Sequence, residues 1–183
     1  MKKILFISLL LLAGFVQTGF SHSYHYEVAV TTRFDVVKDQ LQALKMTWLY
    51  DEEVSQVMLQ DNKNLDVFKK KLIRDLGKLG YFTQIKINGK KVIFDKAKDV
   101  VLKKENKVLK LFFTLPLRTP ELIHKGSHIN VEHKDPTAIA ILYYDNPSRI
   151  SIEGAMKNRC KSSVKDKAKF EDGEFPQLVG ISC

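Results

Sequence analysis

The 183-residue sequence predicts an α+β protein, a mainly antiparallel β-sheet or sandwich with two helices inserted after the first hairpin. Three observations lead to this prediction. Apolar side chains alternate near the start of the chain, they switch to a spacing of three and four before Gly80, and short alternating segments separated by Pro and Gly follow. This order of elements is typical of α+β folds rather than of folds with repeated βα units.

The segment before residue 80 contains one hairpin and two helices. Alternating apolar side chains predict strands at residues 24–34 and 41–50. Asp51 is placed to cap a short helix, and Asn64 to cap a longer helix that Gly80 ends. An apolar stripe on the longer helix predicts packing against the core. Its members are Leu65, Phe68, Leu72, Leu76 and Leu79.

The rest of the chain is predicted to be strands. Asn88-Gly89 is a strong signal for a tight type I′ hairpin turn, and prolines at 116, 120, 136 and 147 fall between the predicted strands. The predicted strands cover residues 81–87, 91–94, 99–104, 107–115, 127–133, 137–144, 149–153 and 160–165.

The amino-terminal residues have the pattern of an export signal. Lys2 and Lys3 precede an apolar run over residues 4–16, and the segment Gly19-Phe20-Ser21 that follows has small residues on either side of Phe20, as a cleavage site requires. A membrane anchor is the competing interpretation, but spanning a bilayer takes about 20 apolar residues. The sequence therefore predicts a cleaved signal peptide at residues 1–21. Residues 22–183 would form a single periplasmic domain that does not itself span the membrane.

The charge balance is basic. The chain has 30 basic and 21 acidic residues, so loss of Lys2 and Lys3 leaves 28 against 21, near +7. The lysines are spread along the sequence without interleaved aromatic residues, which favours solvated faces over a nucleic-acid groove. No nucleic-acid partner is expected.

The two cysteines, Cys160 and Cys183, predict a disulfide that ties the C-terminal tail to the domain. A pair of metal-binding thiolates is the alternative, but the paired C-x-x-C spacing of such sites is absent.

Histidines are the candidate metal ligands. Trimming after Ser21 would leave His22 with a free α-amine beside its imidazole, a chelate to which His25 could add a further nitrogen. Zinc, nickel, cobalt and copper accept such nitrogen ligands. A solvated terminus without a ligand is the other interpretation.

A second group of candidate ligands comprises His128, His133 and Asp135. On a regular strand His128 and His133 point to opposite faces, so both cannot approach one ion. Asp135 is either a ligand or a turn carboxylate that accepts backbone hydrogen bonds.

Other site chemistry is not indicated. The sequence has no nucleophile elbow, no H-E-x-x-H and no phosphate-binding glycine loop, so no enzyme activity is expected. An unrecognised hydrolase, or a copper enzyme with His22 at its amino terminus, is the alternative. The acidic segment 61–66 lacks the glycine and the twelfth-position glutamate of a calcium loop, so no calcium is expected.

Four stretches of this chain resemble one family, the domain of unknown function 1007 family. They are Trp-Leu-Tyr-Asp-Glu at 48–52, Gly-Tyr-Phe-Thr at 80–83, Phe-Phe-Thr-Leu-Pro-Leu at 112–117 and Asp-Pro-Thr at 135–137. The resemblance implies an exported accessory protein that works with an inner-membrane permease for nickel, cobalt or zinc. Family members commonly begin His-Pro-His after trimming, whereas this chain has His22-Ser23-Tyr24-His25. An envelope interaction module with no ligand of its own is the alternative function.

Overall fold

Two β-sheets and two helices make up the fold of the computed structural model, which describes residues 26–137, 139–166 and 177–183. Short 3₁₀ turns lie at Gly80–Phe82, Pro147–Arg149 and Gly154–Met156. The main elements are β1 (Tyr26–Val37), β2 (Gln40–Tyr50), α1 (Glu52–Asp61), α2 (Leu65–Lys78), β3 (Thr83–Ile87), β4 (Lys90–Val92), β5 (Lys98–Glu105), β6 (Val108–Leu122), β7 (His128–His133), β8 (Ala140–Tyr143), β9 (Ile150–Ile152), β10 (Lys161–Asp166) and β11 (Gln177–Ser182).

The first sheet, sheet I, has the order β5-β6-β2-β1-β8, and β9 also pairs with β1. The pairs β1–β2, β2–β6 and β5–β6 are antiparallel, as predicted. Both β8 and β9, however, run parallel to β1, so sheet I is mixed. β8 pairs with residues 26–29 and β9 with residues 32–34, so the chain runs once along β1 in the parallel direction, interrupted by the 3₁₀ turn at Pro147–Arg149.

The second sheet, sheet II, is antiparallel with the order β10-β11-β7-β3-β4. Strands β3, β4, β7 and β10 were predicted, but β11 was not. The disulfide between Cys160 and Cys183 joins the residue before β10 to the residue after β11, which confirms the predicted pairing. The tail therefore contributes a central strand of sheet II.

Both helices begin at the predicted caps. The Asp51 carboxylate accepts a hydrogen bond from the Val54 amide at 2.7 Å, and Asn64 Oδ1 accepts from two amides of the first turn of α2. Gly80 follows α2 with φ +63°, a conformation that favours glycine. Leu79 lies beyond the helix end and is 40% exposed, so the prediction that it packs in the core is wrong.

Several strand boundaries differ from the predictions, and three of the differences have a clear physical reason. Residues 81 and 82 form a 3₁₀ turn, so β3 starts at Thr83. The strand predicted at 137–144 is shortened to β8, because Asp135 accepts hydrogen bonds from the Thr137 and Ala140 amides in a turn that precedes the strand. β6 continues through Pro116 and Pro120, where its register with β2 shifts, and this irregularity accommodates residues that lack an N–H.

One hydrophobic cluster includes inward side chains of both sheets. Trp48 of β2 lies at its centre, stacked on Phe82 with ring centroids 5.9 Å apart and meeting Phe113 edge-on at 5.3 Å. Among the residues that the structure describes, no helix is long and apolar enough to cross a membrane.

Candidate functional site

The predicted ligands lie in separate environments. His22 and His25 fall outside the described residues. His133 is on the core side of β7 and only 2% exposed, whereas His128 faces water on the other side of the same strand. The prediction that β7 separates these two imidazoles is therefore confirmed.

His133 is the middle of a buried hydrogen-bond chain that joins the two sheets. The Tyr144 hydroxyl lies 2.6 Å from His133 Nε2 and 2.6 Å from Thr32 Oγ1 of β1, and His133 Nδ1 lies 3.1 Å from Thr83 Oγ1 of β3. The Thr83 hydroxyl donates to the Tyr81 carbonyl at 2.8 Å. Because that hydroxyl has one proton, His133 Nδ1 must donate to Thr83 and Nε2 must accept from Tyr144.

This arrangement keeps the imidazole of His133 neutral. Burial lowers the pKa of His133 from its ordinary value to about 4, against a smaller opposing effect of the Phe82 carbonyl. Burial likewise raises the pKa of the Tyr144 phenol, so the tyrosine remains a hydrogen-bond donor. With both ring nitrogens occupied, His133 has no lone pair left for a metal ion.

Asp135 organises the turn between β7 and β8. Its Oδ1 accepts from the Thr137 amide and hydroxyl at 2.8 and 2.7 Å, and its Oδ2 accepts from the Ala140 amide at 2.9 Å and the Ile139 amide at 3.3 Å. The carboxylate is only 2% exposed. Its four hydrogen bonds are those of a turn carboxylate, one of the two predicted roles.

Two exposed imidazoles lie at the other end of sheet II. His128 Nδ1 lies 3.2 Å from Ser182 Oγ, and its amide donates to Asn88 Oδ1 at 2.9 Å. His124 Nδ1 donates to the Lys125 carbonyl at 2.9 Å, which leaves Nε2 of His124 as an acceptor. A ring nitrogen held in this way orients the opposite nitrogen for a ligand.

A cavity of about 550 Å³ next to the disulfide brings His124 and Asp39 together. Arg159 and Cys183 also line it, and one carboxylate oxygen of Asp39 is buried without a hydrogen-bond partner in the described structure. Sequence reasoning missed Asp39 because 85 residues separate it from His124, and only the folding of the β1–β2 turn onto the 122–125 segment brings the two together. A carboxylate and an imidazole are two ligands, fewer than the three or four protein ligands of a zinc site.

The start of β1 is electronegative. The Glu27 amide donates to Asp51 Oδ2 at 3.2 Å, and Asp135 lies close enough to act on Tyr26. The pKa of the Tyr26 phenol is raised to about 12, first by burial and then by the negative charges of Asp135 and Asp51. The segment that carries His22 and His25 joins the fold at this point.

No group of three or more His, Cys, Asp or Glu residues placed to hold a metal ion occurs within residues 26–137, 139–166 and 177–183. The disulfide also removes both cysteines as thiolate ligands. The described residues alone therefore do not form a complete metal centre.

Comparison with known proteins identifies a family. No curated protein matches the chain. A family model described as "Protein of unknown function (DUF1007)" matches residues 7–172. The match covers most of the sequence and includes the four stretches on which the resemblance was based. The chain therefore belongs to the DUF1007 family of proteins of unknown function.

Proposed function

We propose that this chain is a periplasmic accessory protein that binds a divalent transition-metal ion as cargo and works with an inner-membrane permease for nickel, cobalt or zinc. The export signal, the histidines that follow it and the permease partnership implied by the family resemblance support the proposal. No bond-making chemistry is required for this role.

The electronegative start of β1 is the observation that carries the proposal. Asp51 and Asp135 place two negative charges where the histidine-bearing segment joins the fold, and these charges attract cations. Both carboxylates are held by backbone amides, so they act through their field rather than as ligands.

The proposed ligands are His22 and His25, with His128 as a second, exposed position. His133 and Asp135 are left out because their hydrogen-bonding atoms are occupied inside the fold. An α-amine and imidazole nitrogens suit zinc, nickel, cobalt and copper.

Isothermal titration of the trimmed protein with each of the four metal ions tests the proposal, after mass spectrometry has shown that the secreted form starts at His22. We expect at least one ion to bind more tightly than about millimolar. His25→Ala should weaken binding at least tenfold, while His133→Gln, which alters only the buried chain, should leave the affinity unchanged. Absence of binding tighter than about millimolar for all four ions would refute the metal role.

Co-purification with a nickel, cobalt or zinc permease of the same organism tests the partnership. We expect an association that responds to the metal ion. An association that persists unchanged with a chelator, together with no metal affinity, would favour an interaction module over a metal-binding protein.

A further inference from the structure

The exposed face of α2 carries a row of positive charges. Lys70, Lys71, Arg74 and Lys78 lie three, four, seven and eleven positions after Val67, and all five side chains are exposed. Residues with this spacing share one face of an α-helix. We call these four cationic residues the α2 basic face. The row from Val67 to Lys78 is about 16 Å long at 1.5 Å per residue.

Few carboxylates neutralise the α2 basic face. The Asp75 carboxylate accepts from both Arg74, at 3.4 Å, and Lys78, at 2.9 Å. No ion pair joins Lys70 or Lys71 to a carboxylate within the part of the chain that the structure describes. Asp66, which pairs with Lys69, also acts on Lys70 through its charge, so the four cations face two nearby carboxylates.

The neighbouring strand extends the positive surface. α2 contacts β5, the edge strand of sheet I, on which Lys98, Lys103 and Lys104 are exposed. The ammonium of Lys103 lies 5.9 Å from the centroid of the Phe112 ring, which keeps this lysine on the sheet surface. β5 thus adds exposed lysines at the sheet edge next to α2, with Lys103 and Lys104 on opposite faces of the strand.

We propose that this surface binds the anionic phospholipid headgroups of a bilayer. The opposite face of α2 is turned to the core, with Phe68 and Leu76 buried, so the helix can lie against a membrane without inserting into it. Clusters of four to eight Lys and Arg residues on a helix are typical of binding to anionic lipid surfaces. The four side chains of the α2 basic face are all Lys or Arg, with no aromatic ring among them for stacking bases, and their diffuse charge matches the diffuse charge of a lipid surface.

Co-sedimentation with vesicles tests the proposal. The trimmed protein should bind vesicles of phosphatidylcholine mixed with phosphatidylglycerol and should not bind vesicles of phosphatidylcholine alone. Each cationic residue near an anionic surface contributes about a fivefold factor to the partition coefficient, so Lys70→Gln/Lys71→Gln/Arg74→Gln should lower it about 100-fold. Binding should also be lost in roughly 1 M salt, where the Debye length falls to about 3 Å.

A matched variant separates this face from the net charge of the protein. Lys157→Gln/Lys161→Gln/Lys165→Gln removes the same charge from exposed residues near or on β10, the far edge of sheet II, and should lower partitioning less than fivefold. Circular dichroism should show unchanged helix content for both triple variants, since Gln and Lys have similar helix propensities.

Three results would overturn the proposal: equal losses in the two triple variants, equal binding to neutral vesicles, or no binding to anionic vesicles at low salt. The last result would leave an acidic protein as the partner to seek. None of these outcomes depends on metal affinity, so the metal-binding proposal is tested separately.

Discussion

The buried imidazole of His133 should make the stability of the fold depend on pH. The pKa of His133 is about 4 in the folded chain and 6.5 for an ordinary imidazole. Above about pH 6.5 both folded and unfolded states hold a neutral ring, so the full stability is present. As the pH falls from about 6.5 to about 4, the imidazole binds a proton in the unfolded state but not in the folded state, so the free energy of unfolding falls. Below about pH 4 both states are protonated and this loss levels off.

The size of the effect follows from the difference in pKa. A gap of about 2.5 pKa units at about 1.36 kcal/mol each corresponds to a total of about 3 kcal/mol. About 2 kcal/mol of this should be lost between about pH 7 and about pH 4.5. That is a large share of the roughly 5–15 kcal/mol by which domains are usually stable, so the loss should be visible in urea unfolding curves.

The assay compares urea unfolding at the two pH values for three proteins. His133→Gln retains a donor and an acceptor in the buried chain but cannot titrate, so its free energy of unfolding should fall by about 2 kcal/mol less than that of the unaltered protein. His128→Gln removes an exposed imidazole of the same strand and should retain the pH dependence of the unaltered protein. If the His133→Gln variant loses as much stability on acidification as the unaltered protein, the reasoning about the buried imidazole is wrong.

Three further substitutions test other parts of the fold by thermal or urea unfolding. Cys183→Ser removes the disulfide and should cost about 3 kcal/mol in the chain-entropy model, with no further effect of a reductant on the variant. Gly154→Ala would place a Cβ 2.2 Å from the Val36 carbonyl oxygen at φ +77° and should cost roughly 2 kcal/mol or more, whereas Gly89→Ala, at φ +80° in open space, should cost only about 1 kcal/mol. Asp51→Ala should lower the free energy of unfolding by about 1–2 kcal/mol, because it removes the α1 cap and the hydrogen bond to the amide of residue 27. Asp51→Asn keeps an acceptor oxygen and should retain most of that stability. Equal losses for the two variants would argue against a capping role.

Much of the fold could be predicted from local signals in the sequence. The caps at Asp51 and Asn64 and the Asn88-Gly89 turn depend on neighbouring residues alone, and each lies where it was predicted. His128 and His133 are five positions apart on β7, and they were predicted to lie on opposite faces because side chains alternate along any strand.

Features set by distant contacts could not be predicted in this way. β11 is a strand because β7 and β10 flank it, and its own residues show little alternation. The parallel pairing of β8 and β9 with β1 depends on the path of the connecting loops. The pairing of Asp39 with His124 in one cavity depends on how two loops meet, for which the sequence contains no local signal.

The position of β11 has a consequence for biosynthesis. β10 pairs with β11, and β11 links it to β7, so sheet II stays incomplete until residues 177–182 have left the ribosome. The export proposed above requires an unfolded chain until it has crossed the bilayer, and late arrival of this inner strand postpones closure of the core. Ending the chain before residue 177 would thus remove an inner strand of sheet II rather than an edge strand, and the product should fail to fold.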